Sequence, residues 1–423
     1  MSTVPRVPYD LVVAGLGLAG LTAAVTAAEQ GARVLCVGKG WGTTHFRSGT
    51  VDVLGYLNGE MVRNPHEGIQ RLTREVPDHP YATIARALED GLRLVRGALE
   101  ADGVGTVGTA EENRFLATAA GTYRPTCVLP GSLEAAWQGA RILAVGFHGY
   151  RDFEPDLFSS VLPRRAERLG LTVRVRATTV DVPQLHRHHL DGLALARLFD
   201  GQVFRHQLAT AVRARIGNAT LLCLPAVLGL EDSAGVVAAL EQNLGTPVVE
   251  VPTLPPSVPG MRLAQALERA ARTRGARIQV GRSFTVVREE RRVVALRIHG
   301  AGHDTVVPLD RLVLATGGLA SGGLVVEGRG ELREPVADLP VRQPEGPLED
   351  WYREHLLGPA QPVATAGLRF DRRLHPLNEE GEPVENVFCC GGLLAGARRT
   401  QELSADGIAV ASGHLAAKEA TAA

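Results

Sequence analysis

The sequence is poor in cysteine and has no long apolar run. Its 423 residues include five cysteines, and these form neither a Cys-x-x-Cys pair nor a ferredoxin-type series, so iron–sulfur clusters would have to be held by another chain. The longest apolar candidate, residues 221–230, is interrupted by Pro225 and falls short of the about twenty residues that a membrane-spanning helix needs. Residues 1–8 contain no apolar signal core, so we expect a cytoplasmic protein.

Neither sign of charge predominates. The 45 basic and 46 acidic residues leave a net charge of −1, which gives no overall field to attract nucleic acid or an anionic membrane, so membrane contact should be indirect or peripheral. Lysine is almost absent, since only Lys39 and Lys418 are present and the other basic residues are arginine. The length exceeds what a single hydrophobic core usually supports, and this predicts two domains.

An apolar strand runs directly into a glycine turn near the amino terminus. Residues 10–14 precede Gly15-x-Gly17-x-x-Gly20 and an alanine-rich helix, and residues 31–37 close a βαβ unit. Gly15 suits the tight turn, Gly17 lets the backbone approach a phosphate, and Gly20 lets the helix lie against the strand. The free N–H groups at the start of the helix carry about half a positive charge, which favours an anion. The pattern therefore predicts a dinucleotide-type phosphate site.

Two later strands repeat the change from an apolar run to a glycine turn. One ends at Thr316-Gly317-Gly318 and the other at Gly391-Gly392, just before the final helix. A glycine-rich loop at residues 38–50 follows the βαβ unit. It is too long to be a simple connection, which predicts that it surrounds a ligand.

An inserted α/β segment is predicted between Gly121 and Pro255. Strands at residues 141–146 and 171–175 flank a helix at 154–169, and a buried strand follows at 219–223. We interpret Gly146-x-x-Gly149 as a tight turn, because it is shorter than the dinucleotide fingerprint. Residues 254–259 are proline-rich and should form an extended hinge back to the first domain.

Together these motifs resemble the glutathione-reductase-like flavoproteins, particularly their fumarate reductase and succinate dehydrogenase branch. Within that branch the chain is similar to the family of B subunits of anaerobic glycerol-3-phosphate dehydrogenases. The narrower resemblance rests on short strings along nearly the whole chain, at residues 45–54, 79–81, 121–126, 254–263, 321–324 and 332–335.

The resemblance implies an α/β fold, with a Rossmann-type FAD/NAD(P)-binding (glutathione-reductase-like) domain and an inserted α/β domain. We expect the flavin-binding domain at residues 1–80, 256–330 and 362–423, the inserted cap or interface domain at 81–255, and a connecting loop segment at 331–361. The glycine turns and the loop give the predicted cofactor-binding residues, which are Gly15, Leu16, Gly17, Leu18, Ala19, Gly20, Gly38, Lys39, His45, Ser48, Gly49, Thr316, Gly317, Gly391 and Gly392.

The resemblance also implies an activity and partners. The family oxidises sn-glycerol 3-phosphate to dihydroxyacetone phosphate and passes electrons towards quinone. Its A subunit is the catalytic FAD-containing partner, its C subunit carries iron–sulfur clusters and the membrane association, and its B subunit is assigned FMN. We therefore expect a chain that is peripheral at the inner face of the cell membrane only through its partners, with no nucleic acid partner and no metal site.

The strand ends favour FMN over FAD. FAD-binding members place a carboxylate at the end of the second strand, where it binds the adenosine ribose. Here the strand runs into Gly38, and Glu29 lies too early, on the helix. The larger family also tends to place an acid after the glycine of the third strand, where this chain has Gly391-Gly392. FMN has no adenosine ribose, so we predict FMN, with FAD as the alternative if other groups take over that contact.

The sequence does not identify a catalytic residue. His45 lies near the position where succinate dehydrogenase-like proteins attach FAD covalently, although a hydrogen bond from His45 or Ser48 to the flavin, or a structural role for the histidine, is favoured over attachment. His148 and His375 are candidate bases because the pKa of histidine lies near neutrality. Arg333 is a candidate phosphate ligand, with an ion pair to Glu331 or Glu334 weighed equally. Arg398-Arg399 is a second candidate.

Two other functions stay open at this point. One is a free-standing FAD-dependent oxidoreductase of the fumarate reductase type. The other is a non-catalytic assembly subunit that retains the flavoprotein fold, which the missing acid and base pair keeps open.

Overall fold

A computed structural model describes residues 8–186, 190–328, 330–352, 354 and 361–422. The chain divides into two compact units. Unit 1 comprises Met1–Thr43, Asp52–Ala98 and Ala266–Ala423, and unit 2 comprises Thr44–Val51 and Leu99–Gln265. The expected insertion at residues 81–255 thus compares with residues 99–265 in unit 2, which also includes residues 44–51, the last seven residues of the glycine-rich loop and Val51.

Most of the chain is helical or extended. The first part forms β1 (Tyr9–Ala14), α1 (Leu18–Glu29), β2 (Val34–Gly38), β3 (Tyr56–Leu57), β4 (Glu60–Met61), α2 (Pro65–Glu75), α3 (Tyr81–Ile84) and α4 (Leu88–Ala101). The middle forms β5 (Thr106–Val107), β6 (Arg114–Ala117), β7 (Tyr123–Thr126), β8 (Leu129–Pro130), β9 (Arg141–Phe147), α5 (Pro155–Glu167), β10 (Arg174–Val180), α6 (Gly192–Asp200), α7 (Gln202–Arg213), β11 (Leu221–Pro225), α8 (Ser233–Leu244) and β12 (Val248–Val251). The last part forms α9 (Val258–Thr273), β13 (Arg277–Val280), β14 (Phe284–Glu289), β15 (Arg292–Ile298), β16 (Thr305–Leu314), β17 (Val325–Glu327), β18 (Glu331–Arg333), β19 (Val341–Arg342), β20 (Gly367–Leu368), β21 (Val387–Cys389), α10 (Arg399–Glu402) and α11 (Ala405–Thr421).

The main sheet of unit 1 has seven strands within the described residues, in the order β13-β2-β1-β16-β15-β14, and β21 also pairs with β16. Strands β13, β2, β1, β16 and β21 are parallel, whereas β15 runs antiparallel to β14 and β16. Ala14 lies level with Val37 and Leu314, and Leu314 lies level with Cys389. The carboxyl ends of four parallel strands therefore lie side by side at one edge of the sheet.

Helix α1 is buried along almost its whole length. Its sequence is apolar on every side, and residues 18–28 are all buried, as is typical of a helix enclosed within a core. Helix α11 packs against it so closely that a Cβ added at Gly413 would lie 2.3 Å from the Ala19 carbonyl oxygen. The Thr26 hydroxyl and His414 Nδ1 lie 2.9 Å apart and share a hydrogen bond. This packing fixes the amino end of α1 at the edge where the parallel strands end.

Unit 2 contains a second parallel sheet. In the described residues four strands follow the order β10-β9-β11-β12, and large aromatic side chains such as Phe147, Phe158 and Phe199 fill its core. The predicted α/β character of the inserted segment is confirmed. The prediction for the strand at 171–175 is wrong in its bounds, because β10 spans Arg174–Val180, and β12 was not foreseen.

A buried ion pair explains why β12 escaped prediction. Glu250 interrupts an otherwise apolar run, yet it is 1% exposed. Arg262, on α9, donates to it from Nη1 at 2.7 Å and from Nη2 at 3.0 Å. The carboxylate also accepts the Ser132 hydroxyl at 2.7 Å and the Leu228 N–H at 2.8 Å. The charge is therefore fully hydrogen-bonded, which is the condition for burying it.

Candidate functional site

The turn between β1 and α1 has no room for a side chain at two of its glycines. Gly15 has φ +129°, and a Cβ there would lie 2.1 Å from the Ala315 carbonyl oxygen. A Cβ at Gly20 would lie 2.1 Å from the Gly15 carbonyl oxygen. Gly15 thus makes the tight turn, and Gly20 lets α1 lie against the strand end, as the sequence pattern predicts.

The middle glycine of the turn, Gly17, faces open space. Gly17 is the N-cap of α1, with φ −81° and ψ −179°, and a Cβ there would meet no atom within 4 Å. No side chain caps the helix, and its first turn contains no acidic residue. The N–H groups and the partial positive charge of the helix start are therefore not neutralised by the protein, which suits an anionic group approaching Gly17.

The two later glycine turns lie against this one. A Cβ at Gly391 would lie 2.8 Å from the Ala19 Cβ, and a Cβ at Gly392 would lie 2.7 Å from the Gly318 nitrogen. The Gly391 N–H donates to the Ser412 hydroxyl at 2.9 Å. The predicted residues Ala19, Gly317, Gly391 and Gly392 thus belong to one cluster of strand ends in unit 1. Gly318 and Ser412 join it without having been predicted.

One buried polar atom at this cluster has no partner. Thr316 follows β16, and its hydroxyl oxygen is buried without a hydrogen bond among the described residues. A buried hydroxyl is normally satisfied, so the atom is available to a ligand. Together with the uncapped helix and the open face of Gly17, this hydroxyl fits a phosphate-bearing cofactor.

The end of β2 has no carboxylate, and the Leu16 side chain packs closely against it. The Leu16 Cδ1 atom would lie 2.7 Å from a Cβ at Gly38, and Lys39 beyond it is exposed. Glu29 forms an ion pair with Arg274 at 2.8 Å. The following loop passes so close to the turn that a Cβ at Gly42 would lie 2.3 Å from the Gly17 Cα. Gly42 is not among the residues predicted to bind the cofactor. The alternating glycines of this loop were the sequence signal that could have identified it.

The other predicted loop residues belong to unit 2. Ser48 Oγ lies 2.9 Å from the Thr50 hydroxyl, and the Arg124 guanidinium donates to both hydroxyls. Gly49 has φ +74°, and a Cβ there would lie 2.6 Å from the Pro259 backbone. The His45 carbonyl accepts the N–H of Ser257 at 2.7 Å. These contacts hold residues 45–50 in one conformation within unit 2.

The candidate catalytic side chains are divided between the two units. His148 is exposed after β9, with its ring 5.2 Å from that of His186 in unit 2. His375 is buried in unit 1, where its Nδ1 lies 3.0 Å from Asp371 Oδ2.

Arg333, in unit 1, pairs with Glu327 and Asp338 at 2.8 Å each, and these hydrogen bonds raise the pKa of its guanidinium. The alternative pairing with Glu331 or Glu334 is wrong. Glu334 instead accepts the N–H groups of Val336 and Ala337.

The adjacent cysteines before the third glycine turn are inert. Cys389 and Cys390 are both fully buried. Burial raises the pKa of the Cys390 thiol to about 12 and raises that of Cys389 well above its usual value. Neither is a thiolate at neutral pH, which agrees with their interpretation as small apolar core residues.

Comparison with known proteins decides the family. A family model described as "FAD binding domain" matches residues 10–408. The B subunit of the anaerobic glycerol-3-phosphate dehydrogenase of Pectobacterium atrosepticum is 32% identical over 402 residues, which cover 92% of each chain. Its counterpart from Yersinia pestis is 30% identical over 431 residues, with 97% of each chain covered. The chain belongs to this family.

The family assignment confirms the resemblance seen in the sequence. It also confirms the α/β flavoprotein fold and makes the chain a member of a family of flavin-dependent oxidoreductases. A more distant relative of the same name, from Vibrio cholerae, is 28% identical over 422 residues, with 97% of this chain and 96% of that one covered. Among the described residues, no helix is both long and apolar enough to cross a membrane.

Proposed function

We propose that this chain is the flavoprotein B subunit of an anaerobic-type glycerol-3-phosphate dehydrogenase. The complex would oxidise sn-glycerol 3-phosphate to dihydroxyacetone phosphate and pass the electrons towards quinone. The observation that carries the proposal is the similarity to B subunits along 92% to 97% of the chain. Its partners would be an FAD-containing A subunit and an iron–sulfur C subunit, with the complex at the inner face of the cell membrane.

We further propose that unit 1 binds the cofactor and that this cofactor is FMN. The uncapped start of α1 and the open face of Gly17 suit a terminal phosphate. The end of β2 offers no carboxylate to an adenosine ribose, and Leu16 packs where its side chain would begin. FAD, the ligand named for the family model, remains the alternative.

The residues of unit 1 have defined tasks in this proposal. The amides after Gly17 bind the phosphate, the Thr316 hydroxyl hydrogen-bonds the bound cofactor, and the close contacts of Gly15, Gly20 and Gly392 exclude water from the strand ends. A bound flavin supplies the two-electron redox chemistry that side chains lack. We assign no catalytic base, and Arg333 is already paired with two carboxylates, which leaves it poorly suited to bind a substrate phosphate.

Release of the cofactor tests its identity. The purified protein would be denatured and the released flavin separated by chromatography. We expect FMN in the supernatant, at about one molecule per chain if a single site binds it. FAD in the supernatant would contradict the FMN assignment and leave the family assignment intact. Flavin that stays on the denatured polypeptide would indicate covalent attachment, for which His45 is the residue to replace.

Reconstitution tests the role in the complex. Glycerol-3-phosphate:dye reductase activity would be measured for the chain alone and with its candidate A and C subunits. Activity only in the mixture, with flavin on this chain, supports the proposal. Full activity of the chain alone supports a free-standing oxidoreductase. A chain that assembles with its partners but binds no flavin is an assembly subunit.

A further inference from the structure

A cavity of about 550 Å³ opens in unit 2 at the edge where the strands begin. Its wall includes Ala140, Leu221 and Val248, at the starts of three strands, and Ala234, Val237 and Ala238 of α8. This size is within the range of small-molecule sites. This edge of unit 2 therefore presents a concave, largely aliphatic surface.

The polar side chains of this cavity are already engaged. The Thr220 hydroxyl accepts the N–H of Arg141 at 3.0 Å, and Gln138 Oε1 accepts the N–H of Thr172 at 3.0 Å. Glu241 Oε1 accepts the N–H of Val248 at 2.9 Å. Glu134 forms an ion pair with Arg114 at 2.6 Å. An occupant of the cavity would therefore contact mostly aliphatic side chains.

Exposed arginines surround the same edge. They lie at the end of α5, at the starts of β9 and β10, and at the end of α7, and they are Arg141, Arg164, Arg165, Arg168, Arg174, Arg176, Arg213 and Arg215. In the described part of the chain none of these arginines pairs with a carboxylate. We call this set the arginine rim. The −1 charge of the whole chain conceals this local excess.

Contacts place three members of the arginine rim next to the cavity. Arg141 and Arg174 are register partners on adjacent strands. Arg141 Nε donates to the Asn218 carbonyl at 2.7 Å, two residues before Thr220 of the cavity wall. Arg213 donates to the Asn243 carbonyl, at the end of the helix that lines the cavity. The cationic and aliphatic surfaces are thus continuous.

Interactions with backbone carbonyls and helix ends do not account for all the arginines of the rim. Arg141, Arg176, Arg213 and Arg215 do bond to backbone carbonyls. The end of a helix, however, carries only about half a negative charge, and α5 has Arg164, Arg165 and Arg168 at its end with Glu167 as the one nearby acid in its last turn. The rim therefore carries more positive charge than the fold needs.

We propose that this edge of unit 2 docks on an anionic phospholipid surface, with the arginine rim on lipid phosphates and an acyl chain in the cavity. Arginine binds phosphate through two parallel hydrogen bonds, and juxtamembrane basic residues add to the attraction of an anionic leaflet. An acidic protein segment would match the arginines but would leave the aliphatic cavity without an occupant. The contact goes beyond the proposed function and adds to any attachment through partner subunits.

Vesicle sedimentation tests the proposal with the full chain alone. We expect binding to phosphatidylcholine vesicles that contain phosphatidylglycerol, little binding to pure phosphatidylcholine, and weaker binding at high salt. Replacing Arg165, Arg168 and Arg174 by glutamine should lower the partition constant about 100-fold, at about fivefold per charge. The matched control replaces Arg63, Arg151 and Arg197, which are exposed and outside the rim. An equal loss in the control, or no vesicle binding by the parent chain, overturns the proposal.

A soluble lipid tests the cavity separately. Dihexanoyl phosphatidylglycerol, kept below its micellar concentration, should bind the parent chain more tightly than glycerol phosphate does. Ala238→Gln places a polar amide at the exposed wall of the cavity and should weaken that binding at least tenfold without changing the thermal unfolding midpoint. Equal binding of lipid and glycerol phosphate overturns the acyl-chain assignment. Loss of partner association with intact vesicle binding in the rim variant would show that the rim serves an acidic protein instead.

Discussion

Gly17→Ala should weaken cofactor binding and spare the fold. A Cβ at Gly17 meets no protein atom within 4 Å, and its φ of −81° and ψ of −179° are open to alanine. Alanine caps a helix less well than glycine, but it also restricts the unfolded chain, so we expect a net stability change within about 0.5 kcal/mol. The same methyl group projects into the space that a phosphate would use. It should weaken or remove hydrogen bonds to a charged group, which contribute about 1.5–3 kcal/mol each.

Flavin affinity measures this effect. The loss of one such bond corresponds to a dissociation constant raised about 10- to 150-fold. Fluorescence quenching on titrating apoprotein with flavin gives the constant, and circular dichroism gives the thermal midpoint. The matched variant is Gly20→Ala, whose Cβ would lie 2.1 Å from the Gly15 carbonyl oxygen. That clash with backbone should cost about 1–3 kcal/mol of stability. A folded Gly17→Ala protein with unchanged flavin affinity would refute the assignment of the phosphate site.

Three further results are expected. Arg262→Ala leaves the Glu250 carboxylate buried without its partner and should lower the free energy of unfolding by about 3–5 kcal/mol in urea titrations; Arg262→Met with Glu250→Leu should lose less. Burial opposes ionisation of Glu402, but hydrogen bonds from His79, Ser404 and the Arg398 N–H outweigh it and lower its pKa from 4.5. Its stabilisation is therefore present above about pH 4.5 and is lost as the pH falls through the lowered pKa, so Glu402→Gln should flatten the acid limb of stability against pH. Burial raises the pKa of Cys36 and Cys390 to about 12, so Ellman's reagent should label these thiols only after unfolding; rapid labelling of the native protein would contradict their burial.

The sequence predicts the cofactor-binding half of unit 1 well, because its signals are local. Residues 11–14 and 34–37 are continuous apolar runs, as buried parallel strands are, and each glycine turn directly follows its strand. Gly15 and Gly20 could be given their roles from spacing alone. The close contact of Gly42 with Gly17 could not, because it depends on where a loop of flexible composition folds back.

Unit 2 shows where local signals fail. Strand β10 alternates exposed and partly buried residues at a sheet edge, so its apolar content is too low to mark its bounds. Strand β12 contains Glu250, whose burial depends on Arg262 of a later helix. A charged residue in a short apolar run suggests a surface segment until its distant partner is known. Likewise, residues 44–51 join unit 2 through contacts of Gly49 and His45 with residues 257–259, and no sequence pattern foretells these contacts.

The packing of Leu16 over Gly38 has an evolutionary consequence. An acid at the end of β2 is the simplest way for such a protein to gain or recover an adenosine contact, yet a lone Gly38→Glu exchange would drive its Cβ to within 2.7 Å of the leucine side chain. The Leu16 side chain would have to shift, and a smaller residue at position 16 would remove the contact. How well position 38 tolerates an acid therefore depends on the residue at position 16 and on the room its side chain has to move.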